Sequence, residues 1–102
     1  MAMTPEKKVK NAVVAILKEY GAYYFYPVTG GYGSSGVPDI VACHLGKFIG
    51  IECKAGKGKT TKLQEKNLEQ IEASGGVAMV INEENIEEVR DVLISIDWLK
   101  NG

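Results

Sequence analysis

The chain has 102 residues, a size that supports one domain with its own core and no metal or disulfide staple. With 45% hydrophobic and 25% charged residues it has the composition of an ordinary soluble globular protein. Its longest apolar run, Ala12 to Leu17, is far short of the roughly 20 residues that cross a bilayer, and there is no basic segment followed by an apolar signal, so the expected address is cytoplasmic. The net charge of −1 argues against a nucleic-acid ligand only on average: residues 1–66 carry +5 and residues 67–102 carry −6. Two cysteines, Cys43 and Cys53, cannot form a disulfide framework, and with His44 as the only histidine zinc is a poor fit.

In chain order, Val9, Ala12, Val13, Ile16, Leu17 and Tyr20 recur at helical spacing, with Thr4 as N-cap, Pro5 at the first helical position and Gly21 at the stop. "AYYFYPV" is aromatic and β-prone and reads as a strand ending at Pro27; its tyrosines Tyr23, Tyr24 and Tyr26 read as core and face residues. The glycine-rich "TGGYGSSG" reads as a loop. "VPDIVACH" and "KFIGIECK" then read as two central strands joined by a tight hairpin at Leu45 and Gly46, which puts His44 at a surface turn and Cys43 and Cys53 on opposite faces. After the loop "AGKGK", Leu63, Leu68 and Ile71 form a helical stripe, and Thr61 and Gln64 have capping-box spacing. "GVAMVI" is a short strand reached by a parallel crossover, and "EENIEEVRDVLISIDWL" is a final helix with acids crowding its first turns. The expected order is α-β-β-β-α-β-α within one domain spanning residues 1–102, an α/β fold with one mixed sheet and helices packed on it.

Three charges sit inside otherwise apolar strands. Glu52 and Lys54 are two residues apart and so share a strand face, and pairing from a Leu45-Gly46 turn brings Asp39 opposite Glu52. Opposed residues have Cβ atoms about 4.5–5.5 Å apart. Two carboxylates that close repel and resist burial unless a cation lies between them, and oxygen ligands suit a hard ion such as Mg²⁺. Such an ion activates water and neutralises a phosphodiester, while Lys54 can position the nucleophile or meet charge developing on phosphorus. The alternative is a structural charge cluster on an exposed face, against which the apolar neighbours speak.

"GVPD", then "IECK" with 13 residues from Asp39 to Glu52, then Gln64 on the following helix, resemble the PD-(D/E)XK nuclease superfamily. More narrowly the chain looks like a stand-alone, virus-type VRR-NUC domain, similar to archaeal Holliday junction resolvases, over nearly its whole length from Glu6 to about Val92. The resemblance implies a restriction-endonuclease-like αβββαβ core with a C-terminal helix. It implies Asp39, Glu52 and the main-chain carbonyl of Cys53 as ligands of Mg²⁺, with Mn²⁺ able to substitute, and Lys54 as the catalytic lysine. It also implies that Glu6 reaches the metal through water and that Gln64 lies close to the attacking water or to Lys54. The implied partner is branched double-stranded DNA, most plausibly a four-way (Holliday) junction, cut by a homodimer. Flaps or other branched DNA are the alternative substrate, and a non-catalytic DNA-binding module is the alternative class.

Blander readings stand beside several of these residues. Glu6 suits the first helical turn through the helix dipole alone, and Gln64 suits the capping box with Thr61. Lys57 and Lys59 belong either to a solvated loop or to a DNA contact beside the site. Ser34 and Ser35 read as phosphate donors or loop filler, and Tyr32, in the glycine loop, as a residue able to stack on a base. Lys7, Lys8 and Lys10 flank Glu6 and suit either a DNA contact or a helix surface. Trp98, Leu99 and "AYYFY" are candidates for a subunit interface, with core packing as the alternative.

Overall fold

The computed structural model describes residues 3–28 and 36–101. Helix α1 spans Pro5–Glu19, strand β1 Tyr23–Phe25, β2 Ile40–His44, β3 Lys47–Cys53, helix α2 Lys62–Ala73, β4 Val77–Ile81 and α3 Glu87–Asn101. The sheet runs β1-β2-β3-β4, antiparallel across the first two pairs and parallel between β3 and β4. The fold is therefore the expected α/β architecture with a mixed four-stranded sheet and a C-terminal helix. Among the described residues no helix is long and apolar enough to cross a membrane.

Local chemistry explains most boundaries. The Thr4 hydroxyl accepts from the Lys7 N–H, Pro5 opens α1 where its missing donor costs nothing, and Gly21 lies just past the helix at φ 72°. Leu45 and Gly46 have φ of 50° and 86°, the double positive φ of a type I′ hairpin turn whose twist matches the strands. That turn fixes the register: His44 pairs with Lys47 and Ile40 with Ile51. Helix α3 starts later than its acid run suggests. Asn85 Oδ1 accepts from the Asn82 N–H and Asn82 Oδ1 from the Glu84 N–H, so these side chains hold residues 82–86 as a turn.

Because side chains alternate across the sheet, one face carries Ile40, Ala42, Ile49, Ile51, Cys53, Met79 and Ile81. These form one core with Val9, Val13 and Leu17 of α1 and Val89, Leu93 and Ile96 of α3. His44 belongs to this face as well, so it is buried rather than at the surface, and its Nε2 lies 2.7 Å from Asp97 Oδ1 on α3. The turn that was expected to expose it instead sets a register that points it inward. Cys43 and Cys53 lie on opposite faces, Cys43 exposed and Cys53 buried, both free.

The other face carries Asp39, Glu52 and Gly50, and α2 packs against it. Neither α2 nor β1 contributes a fully buried side chain. The aromatic run is thus an edge, not a core strand: Tyr23 is 70% exposed and Phe25 47%, and only Tyr24 packs on the core.

Candidate active site

The site forms where the β2–β3 ladder stops. Ile40 and Ile51 are its last pair; one step further the same register sets Asp39 against Glu52, and two steps further Pro38 against Cys53. The Cys53 N–H points toward β2, donating to Asp39 Oδ2 at 2.8 Å. In an antiparallel ladder a residue's N–H and C=O point to the same neighbour, so the Cys53 carbonyl faces that side too. Pro38 has no N–H to offer it. A proline at this position therefore ends the ladder and leaves a main-chain oxygen beside the two carboxylates.

Glu52 is 2% exposed. Its Oε2 accepts from Gln64 Nε2 at 2.9 Å and lies 3.3 Å from Lys54 Nζ, itself mostly buried. Its Oε1 is buried with no hydrogen-bond partner among the described residues. An ionised oxygen in that condition is costly. Burial, then repulsion from Asp39, pushes the Glu52 carboxyl up from 4.5 to about 7, with Lys54 pulling the other way. Burial, with Asp39 adding to it, also raises the Cys53 thiol to about 12, which leaves it inert as a nucleophile.

Gln64 makes both arms of the capping box and one further bond into the site. Thr61 Oγ1 accepts from the Gln64 N–H at 3.1 Å, and Gln64 Oε1 accepts from the Thr61 N–H at 2.9 Å, completing the capping box. That leaves the amide nitrogen free to donate to Glu52. The helix start thereby fixes which way the amide points. Helix α2 comes this close because Gly36 and Gly50 lack side chains: a Cβ on Gly36 would lie 2.7 Å from the Leu63 carbonyl oxygen, and one on Gly50 2.5 Å from Ile71 Cδ1.

The structure thus brings Asp39, Glu52, Lys54, Gln64 and the Cys53 carbonyl together. It does not bring Glu6 into that group: Glu6 is exposed in the first turn of α1, and among the described residues no three His, Cys, Asp or Glu side chains gather as a metal cluster. Lys57 and Lys59 are exposed in the loop after Lys54, a loop tied down where the Gly56 N–H donates to Glu83 Oε1 at 2.7 Å. Tyr32, Ser34 and Ser35 lie outside the described residues. A cleft of about 460 Å³ opens beside Asp39, lined by Lys7, Lys10, Asn11, Tyr26, Pro27 and Pro38 among others. The spacing of Lys7, Lys10 and Asn11 on one helical face was its only trace in the sequence.

Fold and site together define a nuclease of the PD-(D/E)XK kind. Two solved structures share the fold: one described as a VRR_NUC domain, 21% identical with a TM-score of 0.70 over 91% of this chain and 97% of its own, and one described as a VRR_NUC domain protein, 18% identical with a TM-score of 0.57 over 96% and 89%. No curated protein sequence matches the chain significantly. The family model for the archaeal Holliday junction resolvase (hjc) matches residues 6–90, and the chain belongs to that family.

Proposed function

We propose that the protein is a divalent-metal-dependent endonuclease that hydrolyses DNA phosphodiesters at branch points, with four-way junctions as the preferred substrate. The observation that carries the reading is the buried Glu52: one oxygen is held by Gln64 and Lys54 while the other, among the described residues, faces no donor, beside a second carboxylate. A hard cation resolves that arrangement, since it satisfies the orphaned oxygen and offsets the Asp39–Glu52 repulsion. Asp39, Glu52 and the Cys53 carbonyl would hold it, an all-oxygen set suited to Mg²⁺, with Mn²⁺ substituting. When bound, the ion supplies Lewis acidity toward water and the phosphodiester.

The chain's own groups do the rest. Lys54, restrained by Glu52, presents its ammonium where it can orient a water nucleophile or stabilise the negative charge that grows on the phosphoryl oxygens. Gln64 keeps Glu52 in one rotamer from the helix side. Lys57 and Lys59 extend the positive surface away from the site along a backbone-binding loop, each contact making affinity more salt-dependent. Glu6, in the first turn of α1, would act through water bound to the ion. Paired cuts need two sites, so a second copy is part of the proposal. Tyr23 and Phe25, exposed on the half of the site-bearing face that α2 leaves bare, offer an apolar surface for it, with Phe48 exposed on the same face beside α2.

The test compares matched linear, flap and four-way DNA with Mg²⁺, Mn²⁺ or EDTA, for wild type and Lys54→Ala, with the mass in solution measured alongside. The expected result is metal-dependent cutting of the junction by a dimer and far slower cutting by the variant. Equal cutting of all three DNAs removes the junction preference; cutting in EDTA removes the metal.

A further inference from the structure

We propose that the cleft beside Asp39 seats one unstacked nucleotide of the cleaved strand, its phosphates on Lys7 and Lys10 and its base against Tyr26. The inference rests on the nuclease reading and names what its site recognises. The cleft, about 460 Å³, falls within the roughly 300–1,000 Å³ range of small-ligand pockets and is large enough for a single nucleotide but not for a duplex. Its wall on α1 is cationic: Lys7 and Lys10 are one turn apart, and among the described residues neither has a carboxylate within ion-pair distance, although Asp39 lines the same cleft.

Lys10 is half-buried, with its Nζ 5.9 Å from the centre of the Tyr26 ring. A lysine held in this way, short of a counter-ion, is placed for a phosphate. The rest of the lining is largely apolar and includes Tyr26, Pro27, Val37 and Pro38. Tyr26 is 46% exposed, yet its ring is braced edge-on by Tyr24 at 6.1 Å between centroids. An exposed but braced aromatic suits a base, because every base has a π-face to lay on it. A base can reach that wall only if it has left its stack, which a branch point allows at low cost and a continuous duplex resists. Since Asp39 lines the cleft and belongs to the candidate site, the seated nucleotide adjoins the phosphate to be cut. The cleft therefore selects for distortion in the strand being cut, within a single subunit.

The experiment measures binding of a labelled four-way junction and of a matched linear duplex in EDTA, across a salt series, for wild type, Lys7→Gln/Lys10→Gln, Tyr26→Ala and Tyr26→Phe. The double variant is expected to lower the slope of log affinity against log salt by about 1.4, at about 0.7 per phosphate on a single strand. Tyr26→Ala is expected to weaken the junction about 5- to 150-fold with the linear duplex unchanged, and Tyr26→Phe to bind as wild type. An unchanged slope, or a Tyr26→Ala loss equal on both DNAs, overturns the proposal. All three positions are at or near the surface, and an unchanged thermal midpoint verifies folding. Binding in EDTA does not depend on cleavage, so the cleft is judged even if the wild type cuts no DNA, an outcome that would sink the nuclease reading instead.

Discussion

Replacing Glu52 with glutamine should alter how stability depends on pH more than stability itself. The Glu52 carboxyl stands at about 7 in the folded, metal-free chain against an ordinary 4.5, because burial and then Asp39 disfavour its charge. An acid whose proton is held more tightly in the folded than in the unfolded state favours folding at low pH. Stability then declines as pH climbs from the unfolded value through the folded one, and levels off above it. At 1.36 kcal/mol per pH unit the decline amounts to about 3 kcal/mol, a large share of a small domain's total. Glutamine at this position cannot titrate. Its carbonyl oxygen can accept from Gln64 and Lys54, and its amide nitrogen faces Asp39.

The assay is urea unfolding in EDTA across that pH range for both proteins, read as the difference between them, since groups away from the Asp39–Glu52–Lys54 cluster titrate alike in each. The difference, wild type minus Glu52→Gln, is expected to fall by about 3 kcal/mol between acid and neutral pH. Mg²⁺ should restore the wild type above neutrality and leave the variant nearly unmoved, because only the carboxylate pair binds it well. Parallel pH profiles would refute the claim that Glu52 is held in a site that resists its charge, and a Mg²⁺ effect equal in both proteins would refute its role in holding the ion.

Other expectations are more local. Lys54→Ala should keep the thermal midpoint within a few degrees while single-turnover cleavage of a junction falls by about two to three orders of magnitude, the usual loss on removing one charge-stabilising donor. Gln64→Ala removes both a capping-box arm and the bond to Glu52 and should cost about 1–2 kcal/mol in urea unfolding. Gln64→Glu keeps the acceptor for the Thr61 N–H but sets a third acid against Glu52, so its deficit should grow as pH rises. Gly36→Ala places a methyl group 2.7 Å from the Leu63 carbonyl and 2.5 Å from Asn67 Nδ2 and should cost about 1–3 kcal/mol, read as a lowered unfolding midpoint.

The parts of this molecule that were legible from sequence are those with local causes. Thr4-Pro5 and Gly21 bracket α1, and the Leu45-Gly46 turn sets a register that carries Asp39 to Glu52 without any knowledge of the rest of the fold. Contacts made over long chain separations were not legible. His44 looked like a turn residue because its partner, Asp97, comes from a helix 53 positions away. The aromatic run looked like core because strand propensity reports a pleated surface and does not say which surface is covered. Whether Tyr23 and Phe25 are buried depends on how far α2 extends across the sheet, and it stops over β3 and β4. Glu6 shows the same limit from the other side: helix periodicity places it in the first turn, but only the docking of α1 determines how near that turn comes to Asp39.

The same reasoning explains why so exposed a helix can govern the site. Helix α2 buries no side chain fully, so hydrophobic burial contributes less to its position than it does for α1 or α3. What fixes it is its close approach to the glycine backbone at Gly36 and Gly50, together with the polar bond from Gln64 to Glu52. Those constraints meet in a few residues around the buried carboxylate. A shift of α2 large enough to accommodate one methyl group at Gly36 therefore also draws Gln64 off Glu52, which frees the carboxylate from its single orientation beside Lys54. Packing and chemistry are coupled through that amide, and substitutions under α2 should lower catalysis even where the fold survives them.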